Sequence, residues 1–93
     1  MRVEFSNQAT QDLHKIGADS RRLFGDAVAA MLEARLRTMF EQLAQAPESA
    51  PTVEGRPGMR MLPLVRYPYK IFYRVFPDRI RIVHIRHVAR RPW

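Results

Sequence analysis

The chain has 93 residues, a hydrophobic fraction of 46% and no cysteine, so it can form one modest core but no disulfide framework and no thiolate zinc site. Its net charge of +7 is segregated: residues 1–54 carry six Lys/Arg against eight Asp/Glu, and residues 55–93 carry ten Lys/Arg against one acid, Asp78. This asymmetry favours an anionic partner (RNA, DNA or an acidic protein segment) over a basic surface kept for solubility. No apolar run is long enough for a membrane span, and we expect a single cytoplasmic domain over residues 1–93.

The first half of the chain predicts a strand and two helices. Residues 2–5 alternate polar and apolar side chains, as a short strand does. Ser6 or Asn7 is the predicted cap of a first helix, and Gly17 its predicted end. A second helix is predicted from about residue 20 to residue 45. We expect its whole apolar stripe in the core, with both methionines as core filler: Leu23, Phe24, Val28, Met31, Leu32, Leu36, Met39, Phe40 and Leu43.

The second half predicts strands. Residues 46–58 contain three prolines and two glycines and predict a linker. Strands are predicted over 59–65, 67–76 and 79–88, because these segments are rich in Ile, Val, Tyr and Phe, and Pro77-Asp78 is short enough to close a hairpin. The order β-α-α-β-β-β predicts an α+β fold. In it, an N-terminal helical hairpin packs on one face of a small, mostly antiparallel four-stranded sheet.

The sequence of the last predicted strand does not decide which of its faces is buried. Ile80 and Ile82 share one side, whereas Val83 and Ile85 share the other. Two alternatives remain, a bulge near Val83 or a central strand that is covered on both faces.

Metal binding finds little support in the sequence. His84 and His87 are three residues apart on a predicted strand and so point to opposite faces, and His14 has only Asp12 as a ligand-type neighbour. There is no cysteine nucleophile and no glycine-rich phosphate loop followed by a helix. We therefore expect neither a metal nor a cofactor.

Metal-free phosphodiester cleavage is the enzymatic option that the residue types leave. It needs an acid or a base and cations for the phosphorane. His87 is the candidate acid or base, and the alternative is that it packs at a strand end beside arginines on a solvated sheet face. The available cations are Arg60, Lys70, Arg74, Arg81 and Arg90.

Aromatic residues give a second set of candidates. Tyr67, Tyr69 and Tyr73 share one side of a strand by period two, and this side also carries Ile71 and Val75, which favours a core face over a base-stacking face. Trp93 follows Arg-Arg-Pro at the end of the sequence and is a candidate contact residue for a partner, with fraying as the alternative.

The segment GMRMLPLVRYPYKIFYRVFPDRIRIVHIRHVARR resembles the second half of the ParE/RelE superfamily, the toxins of type II toxin–antitoxin systems. Those proteins show an arginine close after a glycine, here Gly58 and Arg60, then a tyrosine-rich strand, here PYKIFYRV. A hairpin follows, and then a strand that ends in His and Arg, here His87, Arg90 and Arg91. The first half matches the superfamily order too, so the resemblance covers essentially the whole chain.

The resemblance implies one of two activities. The PYKIFYRV strand and the HVARR ending look ParE-like, which implies binding and poisoning of DNA gyrase without catalysis. The alternative is a RelE-like ribosome-dependent mRNA endoribonuclease, for which the candidate catalytic residues are His87, Lys70, Arg60 and Arg90. Of these, Lys70, Arg90 and His87 fall close to positions that RelE-like members use. For contacts with a target or an anion, the candidates are Arg60, Arg74, Arg81, Arg90, Arg91 and Trp93.

Either branch implies an acidic antitoxin as a partner. Its disordered segment is expected to fold on the helical hairpin and on the basic sheet surface.

Overall fold

The computed structural model describes residues 1–89. The elements, in chain order, are β1 (Arg2–Phe5), α1 (Asn7–Phe24), α2 (Asp26–Gln45), β2 (Met59–Pro63), β3 (Tyr69–Val75) and β4 (Arg79–His87). The strands form one sheet in the order β1-β4-β3-β2, in which β1 is parallel to β4 and the other pairs are antiparallel. The predicted α+β architecture is thus confirmed. Within the described residues, no helix is long and apolar enough to cross a membrane.

The boundary between the two helices differs from the prediction. Ser6 caps α1 as expected, since its Oγ accepts the Ala9 N–H at 3.0 Å. Gly17, the predicted stop, lies inside α1 and is buried, and a Cβ on it would meet the Arg21 guanidinium at 3.1 Å. The chain breaks instead at Gly25, whose φ of 89° lies in the region that favours glycine. The Gly17 prediction was wrong because α1 continues through this residue, and the chain leaves the helix only at Gly25, where φ is positive.

The core lies between the helical hairpin and one face of the sheet. Ile71, Tyr73, Ile80, Ile82 and Ile85 from the strands are buried in one cluster with residues of both helices. The α2 side chains in this core are Leu32, Leu36, Met39, Phe40 and Leu43.

The predicted core stripe is wrong for its first four members, which are exposed large hydrophobic residues in the structure. Met31, expected to fill the core, is 64% exposed. Large side chains of α2 become buried only from Leu32 onward. The four exposed residues, from here on the hairpin-tip patch, are Leu23, Phe24, Val28 and Met31.

The ambiguity in β4 is resolved by a bulge. Tyr73 pairs with Ile82 and Phe72 pairs with His84, so Val83 is the extra residue on β4. The bulge brings Ile85 onto the same face as Ile82, and one face of the strand therefore carries the buried isoleucines.

The linker between α2 and β2 is fixed to the sheet by side chains. The Tyr73 hydroxyl donates to the Pro47 carbonyl at 2.8 Å, and burial raises the pKa of Tyr73. The Arg60 guanidinium donates to the Ala50 carbonyl at 2.6 Å, and that of Arg74 to the Pro57 carbonyl at 2.7 Å. These contacts hold the linker along β2.

Candidate functional site

The face of the sheet that points away from the helices is the first candidate surface, and we refer to it as the open face. Strand register places Arg2 and Glu4 of β1 on it, beside alternate residues of the neighbouring strands. Among the residues of the four strands, Glu4 is the one acid on this face. Its six cations are Arg2, Lys70, Arg74, Arg79, Arg81 and Arg86.

The cations of the open face lie directly opposite one another on neighbouring strands. Lys70 pairs with Arg86 and Arg74 pairs with Arg81 across β3 and β4. Arg2 pairs with Arg79 across β1 and β4. Like charges in directly opposed positions destabilise a sheet, so folding alone does not favour this arrangement. The strand residues of the open face therefore carry six cations against one acid.

Two acids offset part of this repulsion at one end of the face. Glu4 accepts from Arg79 and, at 2.6 Å, from Arg81, and Asp78 accepts from Arg79 at 3.0 Å. The hydrogen bond from Arg79 lowers the pKa of Glu4, and the charges of Arg81 and Arg2 lower it further. The Arg79 hydrogen bond likewise lowers the pKa of Asp78. Both carboxylates therefore remain ionised and partly neutralise the face where β1 meets β4.

The structure separates the residues at the RelE-like catalytic positions. Lys70 lies on the open face, but Arg60 pairs with Tyr73 and His87 with Tyr69, which places both on the helix-covered face. Tyr69 and Tyr73 are four residues apart on β3, about 13 Å along the strand. The His87 Nδ1 accepts the Ala89 N–H at 3.0 Å. The described members of the set thus do not converge on one reacting centre.

The target-contact candidates divide in the same way. Arg74 and Arg81 lie on the open face, whereas the guanidinium of Arg60 is directed at the linker carbonyls of Glu48 and Ala50. The remaining candidates, Arg90, Arg91 and Trp93, lie outside the described residues.

A carboxylate–imidazole pair closes the edge of β4 where β1 ends. Asp12 of α1 accepts the Ile85 N–H at 2.9 Å and also contacts the His84 Nδ1 through the same oxygen. Both side chains are largely buried, and the Arg86 Nη1 lies 3.4 Å from the His84 Nε2. The pair lines a cavity of about 220 Å³ between α1 and the end of β4, next to His87. Its first role is structural, because it satisfies a backbone donor that no neighbouring strand reaches.

The second candidate surface joins the hairpin-tip patch to the turn between β2 and β3. Met31 and Val65, 64% and 63% exposed, line a groove of about 550 Å³. The charged residues of the groove are Arg35 and Arg66, with no acid among its lining residues. Arg66 has a φ of 74°, a conformation that non-glycine residues rarely adopt and that clusters at functional sites.

Sequence reasoning missed this groove. The periodicity of α2 assigned Met31 to the core, and no local pattern marks Val65. The signal that was present is the length of the apolar stripe, which exceeds what one short sheet covers.

Metal ligands do not cluster in the part of the chain that the structure describes. Within residues 1–89, no group of three His, Cys, Asp or Glu side chains is placed to hold an ion. His84 and His87 pair with Phe72 and Tyr69, which lie on opposite faces of β3, in agreement with the prediction from their spacing.

Comparison with known proteins identifies the family. Among solved structures, the chain is similar to the chromosomal ParDE toxin–antitoxin system from P. aeruginosa, with 27% identity, a TM-score of 0.82, and coverage of 96% of this chain and 97% of that chain. It also shares its fold with the isolated E. coli RelE toxin at 17% identity and a TM-score of 0.61, over 97% of this chain and 86% of that one.

A third solved structure with the same fold is the E. coli DinJ–YafQ toxin–antitoxin complex, at 15% identity, a TM-score of 0.65, and coverage of 94% of this chain and 91% of that chain. Curated protein sequences gave no significant match. The family model described as the ParE toxin of the type II toxin–antitoxin system parDE matches residues 3–92. The chain therefore belongs to the ParE toxin family of type II toxin–antitoxin systems.

Proposed function

We propose that this ParE-family toxin binds and poisons DNA gyrase, and that a cognate acidic antitoxin neutralises it. The observation that carries the proposal is the form of the open face. Six cations are displayed on strands β1, β3 and β4, while the described residues at the RelE-like catalytic positions lie on two faces of the sheet. A surface of this kind suits binding better than proton transfer, which needs its groups within hydrogen-bond reach of one another or of one substrate.

The proposed antitoxin site is the groove beside the hairpin-tip patch. Exposed apolar patches on a small soluble protein mark interaction surfaces. Here Met31 and Val65 supply the apolar contact, and Arg35 and Arg66 supply two cations at the same groove. An amphipathic segment with acidic residues at its flank matches this combination, and its ordering entropy is offset by apolar burial. The related solved structures include a ParDE system and the RelBE and DinJ–YafQ toxin–antitoxin complexes.

A RelE-like ribonuclease is the second function to test, since Lys70 and Arg86 lie side by side on the open face. It would need an acid or base there, and His87 faces the other way. His84 shares the open face with Arg86, but its ring is largely buried and in contact with Asp12.

Two assays separate these functions. With purified gyrase and plasmid DNA, the toxin is expected to inhibit supercoiling or to produce cleaved plasmid, and the product of an adjacent short acidic reading frame is expected to reverse the effect. Primer extension on mRNA in a translating extract is expected to show no added cuts. Codon-positioned cuts that His87→Ala abolishes would replace the gyrase proposal with the ribonuclease.

A further inference from the structure

We propose that the open face binds the phosphate backbone of duplex DNA, so that the toxin contacts DNA directly and not only the protein target. The inference rests on the proposed function for its biological setting, because gyrase works on duplex DNA. The cationic surface itself is observed in the structure. Three directly opposed cation pairs are retained on one face, although such pairs oppose folding.

The composition of the open face favours nucleic acid over a protein. Protein interfaces have an apolar core inside a polar rim. On the open face, Phe72 and Met59 are withdrawn from solvent at 9% and 2% exposure, and Met61 is half-buried. Five of the six cations are arginine, whose planar guanidinium makes bidentate contacts with phosphate.

The face also favours a duplex over a single strand. Proteins that bind single strands stack bases on exposed aromatic side chains. The tyrosines of β3, Tyr69 and Tyr73, lie on the opposite face against the helices, and Tyr73 is fully buried. On the open face itself, Phe72 is 9% exposed, and the ring of Phe76, directly after β3, lies 4.3 Å under the Arg79 guanidinium. A cationic face whose aromatic rings are covered in this way reads backbone charge, and charge is densest along a duplex.

The cations are spaced for several phosphates. Lys70 and Arg86 form one pair, and Arg74 and Arg81 form another four residues further along β3, about 13 Å away. Arg2 and Arg79 extend the second pair toward β1, where Glu4 and Asp78 take up part of the charge. About four phosphates are then neutralised, and the logarithm of the association constant should fall against the logarithm of salt concentration with a slope of about −4.

The test is fluorescence anisotropy of a labelled mixed-sequence DNA duplex, titrated with the whole toxin over a range of salt concentrations. The test variant is Lys70→Gln combined with Arg86→Gln. The matched control is Arg22→Gln combined with Arg37→Gln, two exposed residues of the helical hairpin, which removes the same charge from the helical layer. The test variant is expected to flatten the salt slope by about 2, whereas the control keeps the slope within about 0.5 of the parent. Thermal unfolding checks folding, and the midpoint should change little, because relief of the like-charge pair offsets the lost contact between Arg86 and His84.

Several results would overturn the inference. Equal flattening by the test and control variants would show attraction by net charge alone. Tighter binding of a single-stranded RNA of equal length, or of polyglutamate, would assign the face to another class of partner. Absence of duplex binding by the parent toxin, with gyrase still inhibited in the supercoiling assay, would remove the DNA contact and leave the proposed function standing. Duplex binding without any effect on gyrase would support the DNA contact and remove the proposed function.

Discussion

The helical hairpin and the sheet expose opposite chemistry. The hairpin leaves large apolar side chains uncovered at its tip, from Leu23 to Met31, whereas the open face of the sheet withdraws its apolar side chains and displays six cations. Apolar surface gives affinity through burial, while cations give long-range attraction that salt weakens. The two proposed partners, an antitoxin and an anionic target, would then contact different layers of this small domain.

The largest expected effect comes from a charge placed in the hairpin groove. Met31→Asp puts a carboxylate where an acidic, amphipathic antitoxin segment is proposed to bury apolar side chains. Desolvating that charge should weaken antitoxin binding by about 100-fold, or about 3 kcal/mol, measured by calorimetry. Because Met31 is 64% exposed, the unfolding midpoint should change little.

The matched control for this prediction is Ala30→Asp, an exposed neighbour on α2 that is not among the groove residues. It adds the same charge and should change the affinity by less than about threefold. Equal losses in both variants would mean that net charge, not the groove, decides antitoxin binding. Duplex DNA binding should be nearly the same for both variants. A selective loss of duplex binding in Met31→Asp would mean that the hairpin groove, and not only the open face, takes part in DNA binding.

The next effect concerns the junction between the two regions. Asp12 links α1 to the free edge of β4 through the Ile85 N–H and the His84 ring. Asp12→Ala leaves a largely buried backbone donor without its acceptor and should lower the free energy of unfolding by about 2 kcal/mol, measured by urea denaturation. Asp12→Asn keeps one carbonyl oxygen as an acceptor and should recover part of the loss. If both variants unfold like the parent, the pair does not hold the hairpin to the sheet.

The elements could be predicted because their signals are local. Period-two and period-3.6 patterns, and the prolines and glycines of residues 46–58, determine the order of strands and helices. The bulge at Val83 was one of two alternatives because the parity of the isoleucines on β4 changes there. Gly17 was misread because a glycine inside a helix and a glycine at its end look alike in sequence, and of Gly17 and Gly25 only Gly25 has a positive φ.

The candidate surfaces were less accessible from sequence. The charge asymmetry located the cations in the second half of the chain, but not the face that each one occupies. Arg60 lies opposite Tyr73 on the helix side, and this depends on the register of β2. Met31 was placed in the core because periodicity defines a helix face, not how far along the helix the sheet covers that face.

The smallest expected effect on stability comes from replacing Glu4, and this change should weaken folding while it strengthens DNA binding. Glu4 is the acid within the strands of the open face, and it accepts from Arg79 and Arg81. Glu4→Gln removes this attraction and should slightly lower the urea midpoint at neutral pH. Because the folded state lowers the pKa of Glu4, its stabilising effect is present above the ordinary pKa and is lost as the pH falls through the folded value. The difference in midpoint between variant and parent should therefore shrink on acidification.

The same change should strengthen duplex binding, because it leaves the open face without an acid in its strands. Glu33→Gln, which removes an acid from α2 that pairs with Arg21, is the matched control and should strengthen duplex binding less. The measurement is the anisotropy titration at one fixed low salt concentration. A variant that folds less stably but binds the duplex more tightly would show that the cations of the open face favour phosphate binding at a cost in folding stability. Weaker binding by Glu4→Gln would instead mean that Glu4 positions Arg79 and Arg81 for their phosphate contacts.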